Sequence, residues 1–157
     1  VGAYFVSYGF FAGLSFTNLA PMKMPAYDVN LEPIIPLTGL FFIGNEFQTN
    51  STERLEPSLM IKANALGEWQ GDANIKYSSS FPKDNFAYWL QLTYRHGFDA
   101  NNNQSLNLMP MVGFQFDKFH IGYTYTVDLN RLVRHSYGTH QIMLGYTLCS
   151  APERFCR

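Results

Sequence analysis

The sequence predicts an all-β chain that forms part of a transmembrane antiparallel β-barrel, and three observations carry that reading. The first is the stretch from Leu106 to Asp128, where two long alternating segments meet at the polar pair Asp117 and Lys118. One face reads Leu106, Leu108, Pro110, Val112, Phe114, Phe116, then Phe119, Ile121, Tyr123, Tyr125, Val127. The reverse face of the second segment reads His120, Gly122, Thr124, Thr126, Asp128. Successive side chains on a strand point to opposite sides, so one surface is apolar and aromatic while its reverse is small and polar. Each arm has about ten alternating residues, against about five or six in an ordinary soluble strand and roughly 9 to 11 in a strand that crosses a bilayer at a tilt.

The second observation is composition. Aromatics make up 17% and charged residues 15% of the chain, whereas an ordinary soluble domain carries roughly 25% charged residues. Something apolar must cover so much aromatic surface, yet no segment approaches the roughly 18 to 20 consecutive apolar residues of a membrane helix. Mean hydropathy is even slightly negative. A transmembrane barrel reconciles these facts, because every second residue of each strand faces a polar interior. The net charge of −1 and the lack of a basic run argue against nucleic acid as a partner.

The third observation is how the connections sort. Turn signals cut the chain into about nine strands: Gly2 to Ser7, Phe10 to Leu19, Leu37 to Gln48, Leu55 to Ala63, Gly71 to Ser79, Phe86 to Arg95, Leu106 to Phe116, Phe119 to Asp128 and Thr139 to Leu148. Short polar turns join them at Tyr8 to Gly9, Thr49 to Arg54, Ser80 to Asn85 and Asp117 to Lys118. In alternation with these come mostly longer connections at Ala20 to Pro36, Asn64 to Gln70, Gly97 to Ser105 and Leu129 to Gly138. Four of the eight prolines fall between Ala20 and Pro36. Proline cannot donate to a sheet ladder, which makes that segment a loop. Barrels of the outer membrane have short periplasmic turns and longer extracellular loops; a soluble sandwich has no reason to sort its connections so. Tyr94, Tyr125, Tyr137 and Tyr146 are candidates for an interfacial aromatic belt.

Residues 1–148 are thus expected to be a barrel segment and residues 149–157 a periplasmic tail. An odd strand count would leave an unpaired edge in lipid, where each unsatisfied backbone group is costly. The expectation is that this wall is part of a larger barrel or is completed by another chain. No basic stretch followed by an apolar core opens the sequence, so any export signal is expected to be already removed. Cys149 and Cys156 fall at the end of the chain, outside metal-ligand spacing, with pairing and free thiols both open.

Several short motifs resemble a known family. Phe10-Phe11-Ala12-Gly13-Leu14-Ser15, Leu55-Glu56-Pro57-Ser58 with Lys62, Asp72-Ala73-Asn74, Tyr94-Arg95-His96-Gly97, Gly122-Tyr123-Thr124-Tyr125 with Asp128 and Leu129, and Gly138-Thr139-His140-Gln141-Ile142 are similar, in order and spacing, to the PorP/SprF outer-membrane proteins of the type IX secretion and gliding motility machinery. The resemblance covers nearly the whole chain and corresponds to the carboxyl-terminal half of a typical member. It departs at Gln141, where Glu is common. It implies a barrel of the bacterial outer membrane that takes no cofactor and has no catalytic residues. Its partners are then outer-membrane lipid, the carboxyl-terminal domain of a secreted adhesin, which it anchors at the cell surface, and possible contacts with other secretion components or a periplasmic lipoprotein. A passive porin-like channel is the alternative reading, and a soluble all-β binding module a more distant one.

Parity collects a polar inward face: Glu56, Ser58, Lys62, Asp72, Asn74, Lys76, Gln91, Thr93, Arg95, Gln115, His120, Thr124, Thr126 and Gln141. Both charge signs are present, so Glu56 or Asp72 is expected to pair with Lys62 or Arg95 across neighbouring strands. Together with Lys76 and His120 these form a polar network that plugs the lumen. Asp99, Asn101, Asn103 and Ser105 have the alternate spacing of a calcium loop, but Gln104 stands where its glycine is needed and Pro110 where its bidentate carboxylate is needed. A solvated turn is the better reading, and no metal site is expected. The histidines His96, His120, His135 and His140 lack the serine and carboxylate neighbours of a hydrolase. For contact with a partner, the loop residues Arg131, Arg134, His135 and Tyr137 offer the side-chain types enriched where proteins dock. Met22, Met24 and Tyr27 offer an adaptable apolar surface on the same side.

Overall fold

The computed structural model describes residues 1–19, 36–81, 85–99, 102–129 and 137–147, with backbone alone at 99 and 102–105. The strands are β1 (Gly2–Ser7), β2 (Phe10–Thr17), β3 (Thr38–Asn45), β4 (Phe47–Gln48), β5 (Glu53–Asn64), β6 (Trp69–Phe81), β7 (Phe86–Asp99), β8 (Asn102–Phe116), β9 (Phe119–Asp128) and β10 (Thr139–Tyr146). They form one antiparallel sheet in the order β1-β2-β3-β5-β6-β7-β8-β9-β10, with the short β4 also against β5. Every strand of the main path lies beside its neighbour in sequence, as in an up-and-down barrel wall. The sheet is open between β1 and β10. Both edges run from the side of the long connections to the side of the short turns.

Local chemistry fixes the short turns. Tyr8 and Gly9 both have positive φ, 49° and 86°, the conformation of a two-residue hairpin turn whose twist matches that of the flanking strands. A Cβ on Gly9 would stand 2.6 Å from the Glu46 carbonyl oxygen, while the Glu46 N–H donates to the Gly9 carbonyl at 2.8 Å. That contact ties the first turn to the break between β3 and β4. Asp117, at φ 52°, makes the β8–β9 turn; aspartate tolerates the left-handed region well. One of the four expected longer connections, Gly97 to Ser105, is instead mostly paired strand, with Gly97 opposite Gln104, Phe98 opposite Asn103 and Asp99 opposite Asn102. Asp99, Asn103 and Ser105 therefore stand in a ladder rather than in a loop.

Cross-strand pairing assigns each residue to a face. Ala12, Ile43, Leu59, Ala73, Tyr94, Leu108 and Val127 share one row and one face. Tyr4, Gly13, Phe42, Met60, Asp72, Arg95, Asn107 and Asp128 share the reverse. No hydrophobic residue is buried among the described residues. The buried side chains are polar: Asp72, Thr93 and Thr124 on the reverse face, and Ser79, which pairs with Glu53 and Tyr88 near the short turns. Meanwhile Leu90, Ile75 and Ile121 are close to half exposed on the first face. With no second layer among the described residues to cover the polar face, its burial requires the sheet to curl around it.

Such an inside-out distribution has no place in water, because it forgoes the apolar burial that drives folding. In lipid it is the stable arrangement. The outward face also has the expected zoning. Phe81, Phe86, Tyr88, Phe114, Phe116, Phe119 and Tyr146 gather at the short-turn end, with Phe86 within 6.4 Å of Tyr88, Phe114 and Phe116. Trp69, Tyr94, His96, Phe98 and Tyr125 lie toward the other end, and Ile75, Leu90, Leu92 and Val112 fill the middle, where Tyr123 pairs with Val112; Ile121 pairs with Phe114 on the short-turn side. From Phe86 to Tyr94 the strand rises about 27 Å at roughly 3.4 Å per residue, or about 21 Å along the normal at a tilt of about 40°, near the apolar band of about 25 Å between aromatic girdles. Of the expected belt residues, Tyr94 and Tyr125 sit at one girdle and Tyr146 at the other. Tyr137 is in the connection before β10, 96% exposed.

One outward assignment changes. The register of β7 against β8 shifts between Arg95 and His96, so Leu106 is an extra, unpaired residue. Its side chain comes within 3.0 Å of where a Cβ on the inward Gly97 would stand. Leu106 thus leans to the polar side, and the bulge accounts for it.

If the outward face meets hydrocarbon, Leu90→Arg or Val112→Arg, in the middle row, should lower the stability of the membrane-inserted protein by about 2 to 4 kcal/mol each. Gln141→Arg, on the inward face of β10, should change it far less. Urea titration of protein folded into lipid vesicles measures the difference, and equal losses from both faces would invert or abolish the assignment.

Candidate functional site

The inward face divides into two zones, one aromatic and one polar. In the polar zone, β6 and β7 place Asp72 directly opposite Arg95, and the guanidinium donates twice to the carboxylate, Nε to Oδ1 at 2.9 Å and Nη2 to Oδ2 at 2.8 Å. The Asp72 side chain is 3% exposed and that of Arg95 31%. A planar guanidinium matches a carboxylate in this paired geometry, which gives both strength and direction. Gln70 Nε2 adds a third donor to Asp72 Oδ1 at 3.2 Å. One row toward the short turns, Thr93 donates to Asn74 Oδ1 at 2.6 Å and accepts from Gln91 Nε2 at 3.1 Å. One row further, Lys76 Nζ lies 3.6 Å from Glu56 Oε2. In the same row as Asp72 and Arg95, Asn107 Nδ2 donates to Asp128 Oδ1. Among the described residues, no buried side-chain polar atom lacks a partner.

The lumen residues foreseen from parity occupy this face, with a different pairing. Asp72 takes Arg95, but Glu56 takes Lys76, its direct cross-strand neighbour. Lys62 stands instead between Leu40 and Gln70, in neither ion pair. His120 is at the short-turn end, its Nε2 2.7 Å from Thr147 Oγ1. On the outward face, His140 Nδ1 meets the Tyr123 hydroxyl at 2.7 Å and its ring lies over Tyr125 at 4.7 Å. Of the residues expected to touch a partner, Tyr137 is described: its carbonyl accepts from the Tyr125 hydroxyl at 2.8 Å, which anchors the base of that connection to the girdle. Met22, Met24, Tyr27, Arg131, Arg134 and His135 lie outside the described residues, as do Asn101, Cys149 and Cys156.

The aromatic zone was not foreseen. Tyr4 stacks on Phe42 at 5.6 Å, and Phe11 meets the same ring at 6.4 Å. Two of these rings cover a glycine on the next strand: a Cβ on Gly13 would stand 2.3 Å from the Phe42 ring, and one on Gly44 2.3 Å from that of Phe11. Trp89 repeats the arrangement, 2.0 Å from the corresponding point on Gly113. Glycine lets a ring lie flat against the wall, and the ring in turn shields the bare backbone. The signal was present in sequence as Gly13, Gly44 and Gly113, but only with the register does each acquire its aromatic partner. Among the described residues, no group of His, Cys, Asp or Glu is placed to hold a metal ion.

An all-antiparallel wall, apolar outside and with hydrogen-bonded charges inside, sets the frame for the comparison with known families. The family model described as type IX secretion system membrane protein PorP/SprF matches residues 1–146. The chain belongs to the PorP/SprF family. No curated protein and no solved structure matches it. In this PorP/SprF chain the match runs from β1 to the end of β10 and so includes the whole described sheet.

Because Asp72 is the most buried charge of the wall, removing its partner should be the most damaging change to the network. Arg95→Leu strands a carboxylate inside and is expected to cost about 3 kcal/mol, whereas replacing both partners, Asp72→Asn with Arg95→Gln, should recover much of that loss. Heat-modified migration in detergent gels reads folded against unfolded barrel; a double variant no better than the single one would show that the pair is not the coupling element.

Proposed function

We propose that this protein is an outer-membrane barrel of the type IX secretion and gliding machinery that binds the carboxyl-terminal domain of a secreted adhesin and holds it at the cell surface. It works by association and performs no chemistry. The observation that carries the reading is the inward face, whose ion pairs and amides bond to one another. Polar groups so satisfied give a rigid wall, and a rigid wall is a scaffold for loops that bind. Family membership supplies the secretion system; the described wall supplies a platform whose long connections, at 18–37 and 129–138, emerge on one side. On this reading that side is extracellular, and Arg131, Arg134, His135 and Tyr137 with Met22, Met24 and Tyr27 form the rim that grips cargo. Lipid surrounds the barrel, and other secretion components or a periplasmic lipoprotein meet its short turns.

Replacing Arg131 and Arg134 together by Ala should then release the adhesin domain while leaving the barrel folded, since solvent-facing loop residues contribute little to the wall. Co-purification of cargo with the double variant, alongside its heat-modified migration, makes the check. Undiminished recovery of cargo would remove the rim from the account. Planar-bilayer recording distinguishes the channel alternative: the network predicts near silence, and steady ohmic conductance would favour a pore.

A further inference from the structure

Near the short turns the inward face holds a cavity of about 510 Å³, within the size range of small-ligand sites. Its lining includes Arg54, Lys76, Ser78, Trp89, Gln91 and Gln115. These come from neighbouring strands at matched heights: Arg54 opposite Ser78, Ser78 opposite Trp89, Lys76 opposite Gln91, with Gln115 on β8. We propose that this cavity binds an acidic oligosaccharide.

The chemistry points that way in three steps. Trp89 lies flat over Gly113, and Gly122 also approaches its ring, 3.9 Å from a Cβ built there. One indole face is therefore spent on the wall and the other is turned to the cavity. A broad aromatic face suits the apolar C–H face of a pyranose ring, since indole joins a large apolar surface to a polar edge. Around it stand groups that both donate and accept. Gln91 Nε2 donates to Thr93 and Gln115 Nε2 to the Asp117 carbonyl, which leaves each amide a second N–H and its carbonyl oxygen; these, with the Ser78 hydroxyl, match the mixed donors and acceptors of sugar hydroxyls.

The charges set the sign. Both ionic side chains lining the cavity are cationic. Arg54 is 3.2 Å from Glu46 and Lys76 3.6 Å from Glu56. Their side chains remain 54% and 36% exposed, and a single oxygen contact occupies one of the five N–H donors of arginine or the three of lysine. A carboxylated sugar finds complementary charge there. A peptide is the weaker fit: the site is on the face of strands whose ladders are complete on both sides, so no strand can be added by backbone pairing.

The chain holds two tryptophans, and Trp69 is on the outward face, opposite Phe98. A Trp69→Phe protein therefore reports from Trp89 alone. Folded into phosphatidylcholine vesicles, it is titrated with trigalacturonate, with neutral chitotriose and with tetraglutamate. The expected result is a saturable change in emission with trigalacturonate, weakened about tenfold, the worth of one lost charge-assisted contact near 1.4 kcal/mol, by either Lys76→Met or Gln115→Ala in protein whose heat-modified migration stays that of the folded barrel. No saturable change up to the millimolar range overturns the proposal. Equal response to tetraglutamate shows a site that reads charge alone, and equal response to chitotriose shows that the cations take no part; either result also overturns it.

Discussion

In lipid every backbone N–H and C=O must find its partner within the protein, and the rest of this structure follows from that requirement. A sheet meets it strand by strand, so the chain forms a continuous ladder from β1 to β10, with β7 and β8 reaching far beyond the length of a soluble strand. The ladder fixes side-chain alternation, and alternation then sorts chemistry: leucine, isoleucine and phenylalanine to the hydrocarbon, Asp72, Arg95, Asn74 and Thr93 to the inside. Water would reverse that preference. The same requirement makes the two edges the exposed part of the wall, where Phe5 on β1 and Ile142 and Leu144 on β10 are 59%, 73% and 75% exposed.

The inward face shows how a buried charge is held. Asp72 is buried almost completely and bears three hydrogen bonds, two from Arg95 and one from Gln70. An isolated carboxylate there would be expensive; held by a guanidinium on the adjoining strand, it locks β6 to β7 in a single register. A slip of β7 by one residue against β6 would send Arg95 into lipid and leave Asp72 inside without its partner. The aromatic zone on β1 to β3 does the complementary task without charge. There Tyr4, Phe11 and Phe42 pack over Gly13 and Gly44, filling volume with surface that needs no partner.

How much of this was legible in the sequence depended on the turns. Gly2–Ser7 and Phe119–Asp128 were read to the residue because Tyr8-Gly9 and Asp117-Lys118 are compact turn signals abutting clean alternation. The ends facing the long connections were less legible. Strands β5, β6 and β7 continue past Ala63, Gly71 and Arg95 through Asn, Gln and Gly, residues that look like loop and whose pairing is decided by the neighbouring strand. The faces were not legible where both parities are apolar. In Phe41-Phe42 and Tyr88-Trp89 composition offers no choice, and the small residue across the ladder decides it. The bulge at Leu106 had no local sign, since a leucine at an alternating position looks like any other. The partner of Glu56 was left between Lys62 and Arg95, neither of which is its neighbour: Lys62 is on the same strand, and only the register brings Lys76 opposite Glu56.

The central claim is that two faces of one sheet meet two different solvents, and β9 tests it most directly. Single cysteines at His120, Ile121, Tyr123 and Thr126, each carrying a nitroxide in vesicle-folded protein, report collision with oxygen, which concentrates in lipid, and with a water-soluble nickel chelate. The account predicts that labels at Ile121 and Tyr123 favour oxygen and labels at His120 and Thr126 favour nickel. Uniform accessibility along the strand, or the opposite alternation, would contradict it.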